Sequence, residues 1–581
     1  MRKMLIALLL AGSAPATAAP ADDLARLLDD HWTWSMRENP TYASMLGVRD
    51  YEGQLPDVSL AAADRRTGEA RALLARLQAI PEAGLTPADR TNRAILKRML
   101  EEQIEANSFG QRMVMFSNSG GWHQQMADMA NALPFRTRAD YDSYLARLER
   151  YPALNDEALR VTARAVKEGY GLPCVAMAGH EKTISGVIAG APESSRFYAP
   201  FTRPKPADMS AADWTAMQGR ARALIEGQLY PAYRKHLAFY TGEVAPKCTK
   251  TIGASSQPGG RKFYDYRIRQ MTTTKLSADE IHAIGLKEVA RIRAEMAAVA
   301  TKAGFPSREA YIQELRTNPV YYAKTPEELM KETARVLKLI DGKMPSLFGQ
   351  LPRLPYGIRE IPAEIAEGTT TAYYNQGSLE NGIAGTYYVN TSKLDQRPLW
   401  EIPALSVHEA VPGHHQQIAL QQELDLPKLR RHLAFFTAFV EGWGLYSESL
   451  GEEMGLYDTP AKEMGKLSYQ MWRATRLVVD TGMHAKGWSK DRAVQYMRDN
   501  SALSAANIEA EVNRYISDPG QALAYKIGEL KIRELRARAE KTLGTKFDLR
   551  RFHDAVLGQG AVPLDVLETQ IEAWIAAERR A

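Results

Sequence analysis

Apolar residues recur along most of the chain at intervals of three and four, the spacing that gathers them on one face of an α-helix. Ile281, Ile284, Val289, Ile292 and Met296 keep this spacing behind Ser277-Ala278-Asp279-Glu280, where Ser277 can cap a helix and Glu280 can reach back to it. The same periodicity predicts helices over 61–77, 143–168, 211–240, 462–488 and 525–543. Between 357 and 391 the pattern changes. Thr369-Thr370-Thr371-Ala372-Tyr373-Tyr374 and Gly385-Thr386-Tyr387-Tyr388-Val389 are β-branched and aromatic runs bounded by Gly and Asn, which predicts short strands. The expected fold is therefore mainly α, with one small β-sheet. A chain of 581 residues exceeds what one compact core holds. The Pro/Gly/Ser-rich stretch 254–260 places a lobe boundary there, between a helical lobe over 19–253 and a second one, carrying the sheet, over 254–581.

The first residues read as an export signal. Arg2 and Lys3 precede an apolar run from Met4 to Leu10, and Ala16-Thr17-Ala18 fits a cleavage site, so 1–18 is expected to be a signal peptide and the bacterial periplasm the destination. The apolar run is too short to span a bilayer, so no membrane insertion is expected after cleavage. No cysteine lies near the cleavage point, which argues against a lipid anchor there. Cys174 and Cys248 are the two cysteines, free or joined to one another. The formal charge of +5 falls to +3 without Arg2 and Lys3, and no Lys/Arg-rich block is present, so nucleic acid is not an expected partner.

Chemistry concentrates in one segment. Four of the eleven histidines fall between His408 and His432, and His408-Glu409-Ala410-Val411-Pro412-Gly413-His414-His415 joins three of them to a carboxylate. Imidazole and carboxylate are zinc ligands, and a glutamate beside the first ligand can act as general base. The spacing departs from HExxH. On a regular helix His414 would point about 120° from His408, and His415 would lie about 10 Å further along. Pro412 cannot donate to the His408 carbonyl, so a break at Pro412-Gly413 could return His414 to the metal. Glu441, seven residues before Glu448 on one face with Gly444 between them, is the expected third ligand, and Glu448 a supporting group. A helix is expected to begin at Asp425 and Pro427, with Leu429, Leu433, Phe436 and Val440 as its buried stripe. Arg476, Asp480 and His484 share a helical stripe. Asp480 could then orient His484 toward an oxyanion, or the three could form a structural ladder. Tyr525 is a further candidate oxyanion donor.

With His408-Glu409-x-x-Pro412-Gly413-His414-His415, Glu441-Gly442-Trp443, Arg476-Leu477-Val478-x-Asp480-Thr481-Gly482-x-His484 and Pro519-Gly520-Gln521-Ala522-x-x-Tyr525, the chain resembles the bacterial domain of unknown function 885 family. The resemblance runs from His31-Trp32 to the C-terminal helices. It implies kinship with zinc metallopeptidases that use a glutamate as third ligand: a helical body with a cleft, and a small sheet whose edge strand holds extended substrate. It also implies His408, His414 and Glu441 as ligands of one zinc ion and Glu409 as the base. His484 and Tyr525 would face the tetrahedral intermediate. The expected activity is hydrolysis of a peptide or small protein substrate. Two other classes compete, a carboxylate-bridged two-metal oxidoreductase and a non-catalytic cleft-binding protein. Against the first, paired Glu-x-x-His motifs are missing. Against the second, a binder needs no base at Glu409.

Overall fold

A computed structural model describes residues 19–580 apart from 118–119, 368 and 380–381; the proposed signal peptide, 1–18, lies outside the described residues. The fold is mainly helical. Four of the five periodic stretches become single helices, Leu60–Ala79, Arg138–Lys167, Pro460–Ala485 and Ala524–Leu543, while 211–240 is divided by a π-turn at Ile225–Leu229. Helix Ala278–Lys302 starts with the expected capping box: the Glu280 N–H donates to Ser277 Oγ and the Ser277 N–H to Glu280 Oε2.

Pro460–Ala485 is the spine of the molecule. Every residue from Met464 to His484 is buried, so its charged side chains Lys466, Arg473, Arg476 and Asp480 must find partners within the protein. It packs along Ala278–Lys302, while Thr437–Leu450 packs along Ala524–Leu543. That second pair approaches backbone to backbone, since a Cβ on Gly442 would lie 2.6 Å from Gly528 Cα.

The lobe boundary does not fall where composition placed it. Leu24, Leu73 and Ile95, from the first hundred residues, join one core with residues from Ala254 onward, whereas a second core is built from Trp122 to Tyr240. Ala254 is itself buried, and its N–H is hydrogen-bonded to His484 Nδ1. Small residues at 253–260 thus serve close packing and not a linker. The second core contains three buried histidines, His123, His180 and His236. His123 lies with ring centroids 5.4 Å from His180 and 5.0 Å from His236. Cys174 and Cys248 form a disulfide at its margin.

The sheet has three strands in the order Tyr356–Glu360, Gly385–Val389, Ala372–Asn375. The central strand runs parallel to the first, with Ile358 opposite Tyr387, and antiparallel to the last, with Tyr374 opposite Tyr387. Tyr356–Glu360 extends the sheet beyond the two expected strands. Ala372–Asn375 leaves one edge unpaired, and Tyr373 and Asn375 face a cavity of about 3010 Å³.

Candidate metal centre

Helix Ile402–Glu409 stops at Ala410, and a new helix, His414–Glu423, starts after Gly413. Between them the regular ladder is replaced: the Gly413 N–H reaches back to the Val407 carbonyl and the His415 N–H to that of Ala410, both at 2.9 Å. Pro412 has no N–H to donate to the His408 carbonyl, so the regular ladder cannot run through it. The Pro412 carbonyl accepts from Trp443 Nε1 at 2.8 Å, tying the break to helix Thr437–Leu450. Gly413 keeps a negative φ of −74°. What needs glycine there is space, because a Cβ would fall 1.9 Å from the His408 carbonyl oxygen.

The break turns His414 back to His408. Donor atoms of His408, His414 and Glu441 all lie within 4.8 Å of one another. Glu441 Oε2 is 3.4 Å from His414 Nε2 and 3.8 Å from His408 Nε2. These separations are long for hydrogen bonds. Two ligands about 2.05 Å from a tetrahedral zinc would stand about 3.3 Å apart, close to what is seen. Glu441 Oε2 is buried and has no hydrogen-bond partner, an orphan that an ion would satisfy. The donor set, two imidazoles and one carboxylate, fits zinc.

Electrostatics favour a cation. Burial alone would lower the pKa of His408, but the Glu441 and Glu448 carboxylates, with the charge of Glu409, raise it to about 9. Burial would likewise raise that of Glu441, yet the His408 and His414 imidazoles hold it well below the usual carboxylate range. Glu448 Oε1 accepts from His408 Nδ1 at 2.9 Å and is itself 3.4 Å from Arg473 Nη2. A carboxylate on the far nitrogen fixes the tautomer and leaves Nε2 for an ion. Gly444 completes the fit, since a Cβ there would lie 2.8 Å from His408 Cε1. Glu409, at the end of its helix and 8% exposed, makes no hydrogen bond or ion pair among the described residues and keeps its carboxylate free.

Tyr525, at the start of helix Ala524–Leu543, is brought to this centre; its ring lies parallel to that of His408 at 6.5 Å. His484 is not. It is fully buried, Nδ1 accepts from the Ala254 N–H at 3.0 Å, and Nε2 bonds the Tyr515 carbonyl at 2.9 Å. Both nitrogens are spent on backbone groups, so the expected oxyanion role of His484 is corrected to a structural one. Asp480 does not orient it either, accepting instead from the Tyr264 hydroxyl at 2.6 Å and the Gly520 N–H at 3.2 Å. His415 points away from the triad. Its Nδ1 accepts from the Tyr374 hydroxyl and its Nε2 donates to the Leu354 carbonyl, both at 2.9 Å, so it ties the broken helix to the sheet. Burial lowers its pKa to about 4 and keeps it neutral.

One helix expected from Asp425 is instead a π-turn, Leu429–Leu433, then an irregular stretch and helix Thr437–Leu450. Leu429, Phe436 and Val440 are buried as the stripe required; Leu433 is half-buried. Sequence reasoning passed over Arg473, Trp443 as the clamp on Pro412, and the group Glu511, Arg514 and Tyr515. Arg476 donates to Tyr515 Oη at 2.7 Å and to Glu511 at 2.8 Å. No spacing rule links positions 476 and 511.

The cavity wall carries Val440, the residue before Glu441, together with Gln417, Glu511, Arg514 and Gln521. Among the described residues no helix is long and apolar enough to cross a membrane.

Solved structures share this fold. A protein from Colwellia psychrerythraea, provisionally described as a lipoprotein, superposes with a TM-score of 0.89 at 26% identity, covering 97% of this chain and 100% of that one. Another from Shewanella oneidensis, provisionally described as a lipoprotein of unknown function, gives a TM-score of 0.73 at 19% identity, covering 96% and 100%. Comparison with curated proteins gives no match. A family model described as bacterial protein of unknown function (DUF885) matches residues 40–571, and the chain, matched over nearly its whole length, belongs to that family.

Proposed function

We propose that the protein is an exported, zinc-dependent peptidase. The observation that carries this reading is the convergence of His408, His414 and Glu441 across a broken helix, with an uncommitted carboxylate, Glu409, adjoining the first of them. Zinc, when bound, supplies a Lewis acid that makes water a nucleophile at neutral pH and polarises a carbonyl. The chain's own residues supply the rest. Glu409 accepts the proton of the attacking water and delivers it to the leaving nitrogen. Tyr525 donates its hydroxyl to the carbonyl oxygen as negative charge develops there. The free edge of Ala372–Asn375 offers backbone N–H and C=O groups to an extended peptide, the ordinary way a sheet edge holds a strand. Export is supported by the signal-like first residues, by the disulfide and by the description of the solved relatives as lipoproteins.

The test is Glu409→Gln. It should keep zinc and fold normally while hydrolysis falls at least ~100-fold, as for loss of a general base. A purified variant with near-parental turnover ends this mechanism.

A further inference from the structure

The cavity wall near Tyr525 carries a guanidinium that shares its counter-ion with a second one. Arg514, on helix Ala505–Ser517, lies on that wall. Its Nη2 and Nε donate to Glu511 at 2.8 and 3.3 Å, and its Nη1 donates to Gln521 Oε1 at 2.5 Å. Three of the five guanidinium N–H groups are then used and two remain. Gln521 donates in turn to the Tyr525 hydroxyl at 3.4 Å, so Arg514 stands two side chains from the candidate metal centre.

Glu511 does not belong to Arg514 alone. The same carboxylate oxygen accepts from Arg476 at 2.8 Å and from the Tyr515 hydroxyl at 2.6 Å. Arg476 is buried, with its guanidinium 4.2 Å from the Tyr525 ring centroid, and its Nη1 has no hydrogen-bond partner. Two guanidiniums therefore share one carboxylate. The neighbouring charges are already matched or turned away: Arg267 pairs with Asp518, and Asp480 is fully buried against Tyr264 and Gly520. Across the described cavity wall, arginine and lysine outnumber carboxylates by eight to five.

We infer that Arg514 receives a carboxylate of the substrate, that this is the α-carboxylate at the peptide's C-terminus, and that the enzyme is a carboxypeptidase releasing short C-terminal fragments. This rests on the peptidase reading above. A guanidinium with two N–H groups left over on a cavity wall is well suited to a carboxylate. A C-terminal carboxylate is the one anion that every peptide offers whatever its sequence. The reaction is a hydrolysis: water's oxygen joins the acyl carbon, the C–N bond breaks, and the leaving nitrogen takes a proton.

Three peptides separate the possibilities: one sequence as the free acid and as the C-terminal amide, and an amide of that sequence with its last residue replaced by glutamate. The parent should cleave the free acid with kcat/KM at least ~10-fold above the plain amide, as expected for one charge-assisted contact. Arg514→Gln should erase that preference, chiefly by raising KM for the acid toward that for the amide, and Arg514→Lys should restore part of it. Calorimetry on Glu409→Gln gives a readout without turnover, in which the acid binds at least ~10-fold tighter than the amide until Arg514→Gln is added. Equal cleavage and binding of acid and amide overturn the inference. An Arg514-dependent preference for the glutamate amide equal to that for the acid overturns the C-terminal assignment. If none of the peptides is cleaved, the peptidase reading fails, and calorimetry alone still decides whether Arg514 selects a carboxylate.

Discussion

At the scale of single residues the centre depends on side chains that position others. Glu448 is the clearest case. It is fully buried and touches no substrate, yet it sets which nitrogen of His408 faces Glu441. Glu448→Ala should weaken zinc binding by about 10–100-fold, the usual cost of losing such a partner, in a competition assay with a chelator. Unchanged affinity would mean that the Glu448 contact is incidental. Tyr525→Phe should cost about 2–4 kcal/mol of transition-state stabilisation with little change in zinc content. His484→Ala, by contrast, should leave kcat within a few-fold of the parent and lower the melting temperature. It strands the Ala254 N–H and the Tyr515 carbonyl in the core, at about 1–3 kcal/mol each. A large loss of kcat without loss of stability would return His484 to the reaction.

The unit that matters among the elements is the broken helix, Ile402–Glu409 followed by His414–Glu423. Two adjacent histidines leave the break in different directions: His414 meets Glu441, and His415 meets Tyr374 and Leu354. His414→Ala should therefore lose zinc. His415→Ala should keep it and lose stability where the helix joins the sheet. Metal content and thermal melts on both variants decide this, and the reverse pattern would exchange the two roles. The sequence made this unit legible because proline at 412 has a fixed consequence, a missing N–H. His408, Glu409 and Glu441 were legible because metal chemistry accepts few residue types. His484 was not, since spacing by four shows which side chains share a stripe but not what faces it. Its true partners are backbone groups, which leave no mark in a sequence. Strand Tyr356–Glu360 escaped for a related reason: half-buried to exposed along its length, it lacks a continuous β-branched run. Periodicity could not locate the irregular stretch before Thr437, because helix and π-turn bury their side chains at similar intervals.

For the molecule as a whole, histidines held neutral by burial make stability depend on pH. His123, His180 and His236 are buried in the second core, each with at least one ring nitrogen that lacks a hydrogen-bond partner. Burial lowers their pKa values to about 2, 4 and 3 respectively, with neighbouring imidazoles adding to the effect at His123 and His236 and Glu181 opposing it at His180. Unfolded histidine titrates near 6.5, so the unfolded chain binds more protons and stability falls with acid. The full contribution is present above pH 6.5 and is lost progressively as pH falls from there through the folded values of about 4, 3 and 2, by about 2 kcal/mol per histidine at pH 5. His31, His415 and His553, outside that core, are likewise held neutral by burial, at about 4, 4 and 3, so acid weakens both cores together: the melting temperature should fall between pH 7 and pH 5, and an unchanged one would contradict this. Composition misplaced the boundary between these bodies because Gly and Ser mark close packing as often as they mark linkers. Everything proposed for this protein turns on the metal. The most direct test is to strip the purified protein with a chelator, add zinc in measured steps, and follow bound zinc and peptide hydrolysis together. The account predicts no hydrolysis in the stripped protein and a linear rise that saturates at one zinc per chain. Full hydrolysis without metal, or zinc that binds only weakly and without effect on turnover, would contradict it.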